Sequence, residues 1–447
     1  MSWTWVIAAG VALGVVYTLS PLTVLCAAGL IAIMKGTARD LSGRERDWFY
    51  ILFILAIVLR FAVIAALMLS ADGSRPYTAF FGDEWIFKSR PIWLRNVGLD
   101  IPISSADFIY TFDPTGNSGH LYVLALLQAL VGDAPYGAHV FNATVYVAAI
   151  AVLFRMVRRS FGPGVAWGGS AVLLFLPSLF AWSVSVLKEP LYTAGAVAEL
   201  LLVIAVVRSP RWWQRGLAVS AVVILAFAME QLRVGTFVVF GFGAAAGLMA
   251  YWILATRRRT VAAAILLPIA AIVAIVLEPV QARVLSQLRF VARYHVGHVM
   301  TPGVSYKIVD PRYYGTRRME IDHISRREAL QYAVRSMIAY VIEPTPANMQ
   351  SRLLWLYLPE HIAWLILFAL APIGFVAGLS RDRLLTAMLA AHAVANILIV
   401  AMTSGNIGTL IRHRGLSLPF LVWLSMLGGA ALFARIAARD HHRMGEL

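Results

Sequence analysis

From Tyr50 to Ser70 the chain runs through twenty-one residues of almost unbroken hydrocarbon, and runs of that kind return along its length. About twenty apolar residues is the length at which a helix crosses the core of a bilayer. Further runs cover Val140–Phe154, Gly168–Trp182, Leu191–Val207, Leu217–Ala228, Val234–Ala255, Val261–Leu277, Trp364–Leu379, Leu384–Met402 and Leu416–Ala434. In hydrocarbon every backbone N–H and C=O must be paired within the protein, which leaves helices or closed barrels. Barrel strands would alternate polar and apolar residues in shorter runs. The chain therefore reads as an all-α polytopic membrane protein. Its 14% of charged residues, against roughly a quarter in soluble domains, agrees.

Residues Trp3 to Met34 are also apolar, lack a basic n-region and a small-residue cleavage site, and read as a retained anchor of one kinked helix or two. With that segment the expected total is about 11–12 transmembrane helices. The net charge of +15 sits largely in short loops, where Lys and Arg act as topological anchors. No nucleic-acid-binding pattern accompanies it. Cys26, the single cysteine, excludes an intrachain disulfide.

The positive-inside rule orients the spans. Lys35, Arg39, Arg44 and Arg46 mark a cytoplasmic loop, so Tyr50–Ser70 runs outward and residues 71–120 form an outer loop. Within it, Trp85 to Leu94 has the composition of a helix lying in the headgroup layer. Leu121–Val131 is too short to span and is expected on the outer surface. Arg155, Arg158 and Arg159 return the chain to the inside, and the remaining spans alternate. The segments expected are 1–47, an N-terminal anchor and cytoplasmic loop, and 48–277, a core membrane module. Next come 278–352, an outer loop, and 353–447, C-terminal helices with a basic tail. The inner (plasma) membrane, with a functional face on the periplasmic side, is the expected location.

Charges on the side that does not anchor need another reason to be there. Asp83 and Glu84 are adjacent carboxylates at a bilayer edge, followed by Lys88 and Arg90. Such a pair can supply a general base for a hydroxyl, with its neighbour orienting it or binding a divalent cation. Two solvated acids paired with Lys88 or Arg90 is the bland alternative. Glu189, behind Lys188 and before Pro190, suits a helix N-terminus, where a lysine is unfavourable unless it faces an anion. Glu230 and Arg233 interrupt one long apolar stretch, either as a local pair or with Arg233 presenting its fork to a phosphate. Arg412, His413 and Arg414, between Gly405 and Gly415, could cradle a phosphate or hold anionic headgroups. In residues 278–352, eleven Lys and Arg face six acids, read mostly as a solvated, partly helical loop. His295, His298 and His323 have no metal-ligand spacing. With no P-loop, GxGxxG or GxSxG pattern, no nucleotide cofactor is expected. A divalent ion, if one is used, would fall to Asp83 and Glu189.

The ordered set of features resembles the GT-C superfamily of polyprenyl-phosphate-sugar-dependent glycosyltransferases, in particular its protein-mannosyltransferase and aminoarabinose-transferase-like branches. Gly82-Asp83-Glu84 follows the first clear span. Gly119-His120-Leu121-Tyr122 opens a short apolar helix where the family has His-Pro-Pro-Leu-Tyr, here without both prolines. Arg158-Arg159-Ser160-Phe161-Gly162 matches a basic-Phe-Gly end. Pro177-Ser178 and Trp182-Ser183 precede Lys188-Glu189-Pro190, and Arg412-His413-Arg414 precedes Pro419 in the last span.

That resemblance, from about Tyr50 to Ala434, implies an inverting transfer from a polyprenyl-linked sugar donor to a glycan or lipid-linked acceptor among the membrane lipids. Asp83 would deprotonate the acceptor hydroxyl, with Glu84 and Glu189 in support. Lys188, Arg233, Arg412, His413 and Arg414 would stabilise the departing lipid phosphate. Lys88, Arg90 and His120 would serve the acceptor. A polymerase of lipid-linked repeat units is a near variant. A transporter or flippase is the alternative from another class, and it would place ionisable residues in mid-span. The sequence puts its charges at outer span ends, with Glu199 the main exception.

Overall fold

Long apolar runs become helices because a helix pairs its own backbone, and prolines decide where several of them begin. In the computed structural model the described residues are all but 1–3, 5–6, 8–9, 11–20, 72–80, 82–83, 113–118, 133–135, 315–317, 350 and 445–447. They form eighteen α-helices and three short 3₁₀ turns, with no strand among them. Among the described residues, ten helices are long and apolar enough to cross a membrane, or eleven if one bent pair counts as a span. The chain is a multi-pass α-helical membrane protein. Much of the N-terminal run lies outside the described residues, so the choice between one helix and two there does too.

The chain divides into two compact units, 1–240 and 241–447. In the first, the helices are α1 (Pro21–Ala38), α2 (Gly43–Leu69), α3 (Glu84–Gly98), α4 (Ser105–Thr111) and α5 (Gly119–Val131). They continue with α6 (Gly137–Phe161), α7 (Pro163–Phe175), α8 (Pro177–Ser183), α9 (Glu189–Arg208), α10 (Trp212–Leu232) and α11 (Thr236–Leu254), the last shared with the second unit. Helix α6 is the mast, with 78% of its span window buried. Phe49 and Phe53 of α2 pack on Phe154 of α6, which in turn meets Trp167 of α7. At the basic end, Asp40 pairs with Arg155 and Arg159, and Glu45 takes the fork of Arg158. These pairs tie the loop before α2 and the first turn of α2 to the end of α6, so part of the basic charge is internally balanced. As expected, α5 is a 13-residue apolar helix too short to cross.

The second unit holds α12 (Arg257–Val276), α13 (Glu278–Val299), α14 (Arg326–Ile342), α15 (Arg352–Arg381), α16 (Arg383–Thr403), α17 (Ile407–Arg414) and α18 (Leu418–Met444). None of the span window of α12 is buried, the profile of a helix surrounded by lipid. Helices α15 and α18 touch backbone to backbone. A Cβ on Gly374 would lie 1.7 Å from the Leu424 carbonyl oxygen, and one on Gly428 2.1 Å from that of Leu370. Small residues permit this close approach where no hydrophobic force drives helices together. The segment read as a largely solvated loop has a core of its own. Ala292, Val296, Val309, Tyr313, Ile321 and Tyr332 are buried together there. Ser325 and Glu328 cap the start of α14 reciprocally.

Candidate functional site

In the first unit the break between α8 and α9 is the centre of the polar chemistry. Ser183, Val184, Ser185, Val186 and Leu187 are all buried, yet Val184–Leu187 are not helical. Irregular backbone at such depth persists only where protein groups satisfy it. Here they do, one carbonyl at a time. His139 Nδ1 lies 2.7 Å from the Val184 oxygen, and His120 Nε2 2.8 Å from that of Val186. Asn142 donates from Nδ2 to the carbonyls of Ser185 at 2.8 Å and Leu187 at 2.7 Å. A carbonyl can only accept, so the facing nitrogen of each imidazole carries its proton. His139 and Asn142 stand three residues apart on α6 and so share a face.

Glu84 closes the loop from the other side. Its side chain is fully buried. Oε2 accepts from the Val186 N–H at 3.2 Å and Oε1 from the Phe81 N–H at 3.1 Å. His139 Nδ1 comes within 3.9 Å of Oε2, but its hydrogen bond goes to Val184. One turn along α3, Lys88 is also buried, with Nζ 5.1 Å from the centre of the Tyr136 ring. Burial lowers the Lys88 ammonium's pKa, while the Glu84 charge pulls it back up. Burial likewise pushes the His120 imidazole down to about 4, against the opposing pull of the Val186 carbonyl and Glu189. His120 is therefore neutral near pH 7, with Nε2–H spent on the loop and Nδ1 buried without a hydrogen-bond partner among the described residues.

Glu189 begins α9 and is buried, with Lys188 half-buried before it. Glu84, Lys88, His120, Lys188 and Glu189, from three separate stretches, thus gather around one loop. Arg90 is half-buried on α3. Arg233 lies in the turn between α10 and α11, just after the last turn of α10, which abuts the start of α5. A Cβ on Gly119 would come within 2.6 Å of the Gln231 carbonyl oxygen. Glu230 caps α11 there, accepting from the N–H groups of Gly235 at 2.9 Å and Phe237 at 2.8 Å. Asp83 lies outside the described residues. Among those that are described, no three His, Cys, Asp or Glu side chains group as a metal would need.

Sequence reasoning passed over the residue that holds this loop in place. Arg60, in mid-span on α2, is fully buried. Helices α7 and α8 meet at a 63° bend. Pro177 has no N–H for the Leu173 carbonyl, which instead accepts from the Tyr146 hydroxyl at 2.8 Å. Beside it, Arg60 Nη2 donates to the Leu174 oxygen at 2.8 Å, and Nε donates to Ser183 Oγ at 2.7 Å. Nη1 donates to its own helix at Ala56, and the guanidinium lies 4.6 Å from the Phe180 ring centre. One side chain thus bridges both arms of the bend. Its signal was in the sequence: a single charge inside an apolar run. His139 and Asn142 gave none, because their partners lie more than forty residues away.

The second unit repeats the device. At the end of α16, His298 Nδ1 is 2.7 Å from the Thr403 carbonyl oxygen and His295 Nδ1 is 2.6 Å from that of Ser404. The hydroxyls of Tyr306 and Tyr332 donate to the Ser404 and Met402 carbonyls. Asn406 caps α17, accepting at Oδ1 from Gly408 N–H at 2.8 Å. Arg412 and His413 are half-buried on α17, while Arg414 is buried. Arg414 donates from Nε to the Tyr340 carbonyl at 3.0 Å and from Nη2 to that of Glu343 at 2.5 Å, against the Trp364 ring. This cation caps the last carbonyls of α14.

Compared with protein-family models, with curated proteins and with solved structures, the chain matches none.

Proposed function

We propose that the protein is an integral membrane glycosyltransferase. It moves a sugar or glycan repeat from a polyprenyl-phosphate or -diphosphate carrier to an acceptor hydroxyl on the outer face of the membrane, in exported polysaccharide, lipopolysaccharide or cell-wall glycan synthesis. One observation carries the reading. Glu84, which follows Asp83 directly, shares the backbone of Val186 with His120, two residues before Lys188-Glu189. The GT-C resemblance draws on those same three stretches, and nothing in their spacing along the chain requires them to meet.

In this scheme Asp83 is the base that takes the acceptor's proton. Glu84 is the tether: its two oxygens hold the start of α3 against the α8–α9 loop. Lys188 and Arg233 are placed on the leaving phosphate, where negative charge develops. Arg412 and His413 remain anion-binding candidates in the second unit, and Arg414 serves chiefly to hold the end of α14. The buried surroundings of the loop suit a donor that must not hydrolyse.

A transporter would need ionisable groups lining a path. Arg60 adds a second mid-span charge, but its nitrogens are spent on Ser183 and two backbone carbonyls. The test is direct: protein in bilayer discs, given a panel of polyprenyl-linked sugars and acceptor glycans. Release of polyprenyl phosphate or diphosphate only with both substrates present is expected. Donor carried across the bilayer of sealed vesicles without cleavage would favour the transporter instead.

A further inference from the structure

An open groove of about 700 Å³ lies at the basic end of the first unit, between α2 and α7. Its lining changes character along α2. Ser42, Arg44 and Glu45 form the mouth, Trp48 follows, and Ile51, Leu52 and Leu55 form the floor, with Trp167 of α7 as the facing wall. Arg44, Trp48, Ile51 and Leu55 recur at helical spacing and so make one stripe. From Arg44 to Leu55 a helix rises about 16 Å, close to half the thickness of a bilayer's hydrocarbon core. The groove therefore has the polarity and length of one leaflet, from headgroup to midplane.

Its Trp167 wall is held by packing, and the acids Asp40 and Glu45 beside its mouth are paired. Trp167 is held edge-on by Phe154 at 5.0 Å between ring centres, and Phe154 packs on Phe49 at 5.2 Å. Glu45 is neutralised by the fork of Arg158, and Asp40 by Arg155 and Arg159. Arg44 is exposed and makes no ion pair or hydrogen bond among the described residues. The mouth thus offers an unspent guanidinium above an apolar floor edged by two tryptophans, residues that favour the headgroup level.

We propose that this groove is a binding site for a phospholipid with an anionic headgroup. Its phosphate rests on Arg44 and an acyl chain lies along Ile51, Leu52 and Leu55 between the two tryptophans. Basic pockets between membrane helices favour such headgroups. The site is independent of sugar transfer and lies at the other end of α6 from the polar loop.

The test is native mass spectrometry of the full chain released from bilayer discs of mixed phosphatidylglycerol and phosphatidylcholine. Wild type is expected to retain phosphatidylglycerol preferentially, and Arg44→Gln to weaken that preference about fivefold, the effect of one cation near the surface. Arg46→Gln, two residues on and outside the groove lining, should leave it nearly unchanged. Leu52→Trp, which fills the floor, should lower retention of both lipids, and soluble glycerol 3-phosphate should not compete. Equal retention of the two lipids, an undiminished preference in Arg44→Gln, the same loss in Arg46→Gln, or displacement by glycerol 3-phosphate would each overturn the site.

Discussion

His120 and His295 do the same work in separate units, each giving one N–H to a carbonyl at a helix break. Burial holds both imidazoles at about 4, below their usual 6.5. The sign follows: the unfolded chain binds protons these histidines refuse when folded, so stability rises with pH between about 4 and 6.5. Thermal unfolding in detergent is expected to shift downward from pH 7 to pH 5, and less so in a His120→Gln/His295→Gln double variant. An equal shift in both would place the acid sensitivity elsewhere. Arg60 makes a sharper case. Arg60→Leu leaves the Leu174 carbonyl unpaired and should cost about 1–3 kcal/mol. Arg60→Lys should cost at least as much, since one ammonium cannot span Ser183, Ala56 and Leu174 and remains a buried charge. A lysine variant as stable as wild type by chemical or thermal unfolding would refute the bridge.

At the scale of elements, the helices were readable and the breaks were only half so. Hydropathy located the spans, and the short α5 was set apart by length alone. Pro190 marked where α9 starts, but Gly168–Trp182 read as one straight span where the structure bends by 63° ahead of Pro177, and nothing showed that Ser183 to Leu187 would be buried and clasped. That clasp depends on His120, Asn142 and His139, whose distance along the chain carries no periodic signal. Residues 278–352 are partly helical with exposed arginines, as their charge led one to expect, but the small core within them gave no signal because its residues are spread over forty positions. The α15–α18 contact is another product of folding, since Gly374 and Gly428 look ordinary in sequence. Gly374→Leu, placed against the Leu424 backbone, is expected to lower stability by about 1–3 kcal/mol or more through forced separation of the helices. The same change at Gly164, where a Cβ meets nothing within 4 Å, should be mild. Equal effects by thermal unfolding would contradict the close approach.

At the scale of the whole molecule, the all-α, multi-pass architecture was written in the sequence because the bilayer leaves few alternatives. Two units of about equal size were not, since no linker separates them and α11 belongs to both. Sugar transfer rests on the acid pair and its companions, and here Asp83 and Glu84 should separate. Asp83→Asn is expected to abolish transfer while leaving unfolding unchanged. Glu84→Gln should lower both, because Glu84 ties Phe81 to Val186. The most direct measurement is therefore the rate of polyprenyl phosphate or diphosphate release by wild type and Asp83→Asn in the same bilayer discs, with saturating donor and acceptor. A loss of about a hundredfold or more, the contribution of a general base, is predicted for the variant. Undiminished transfer by a folded Asp83→Asn protein would contradict the account.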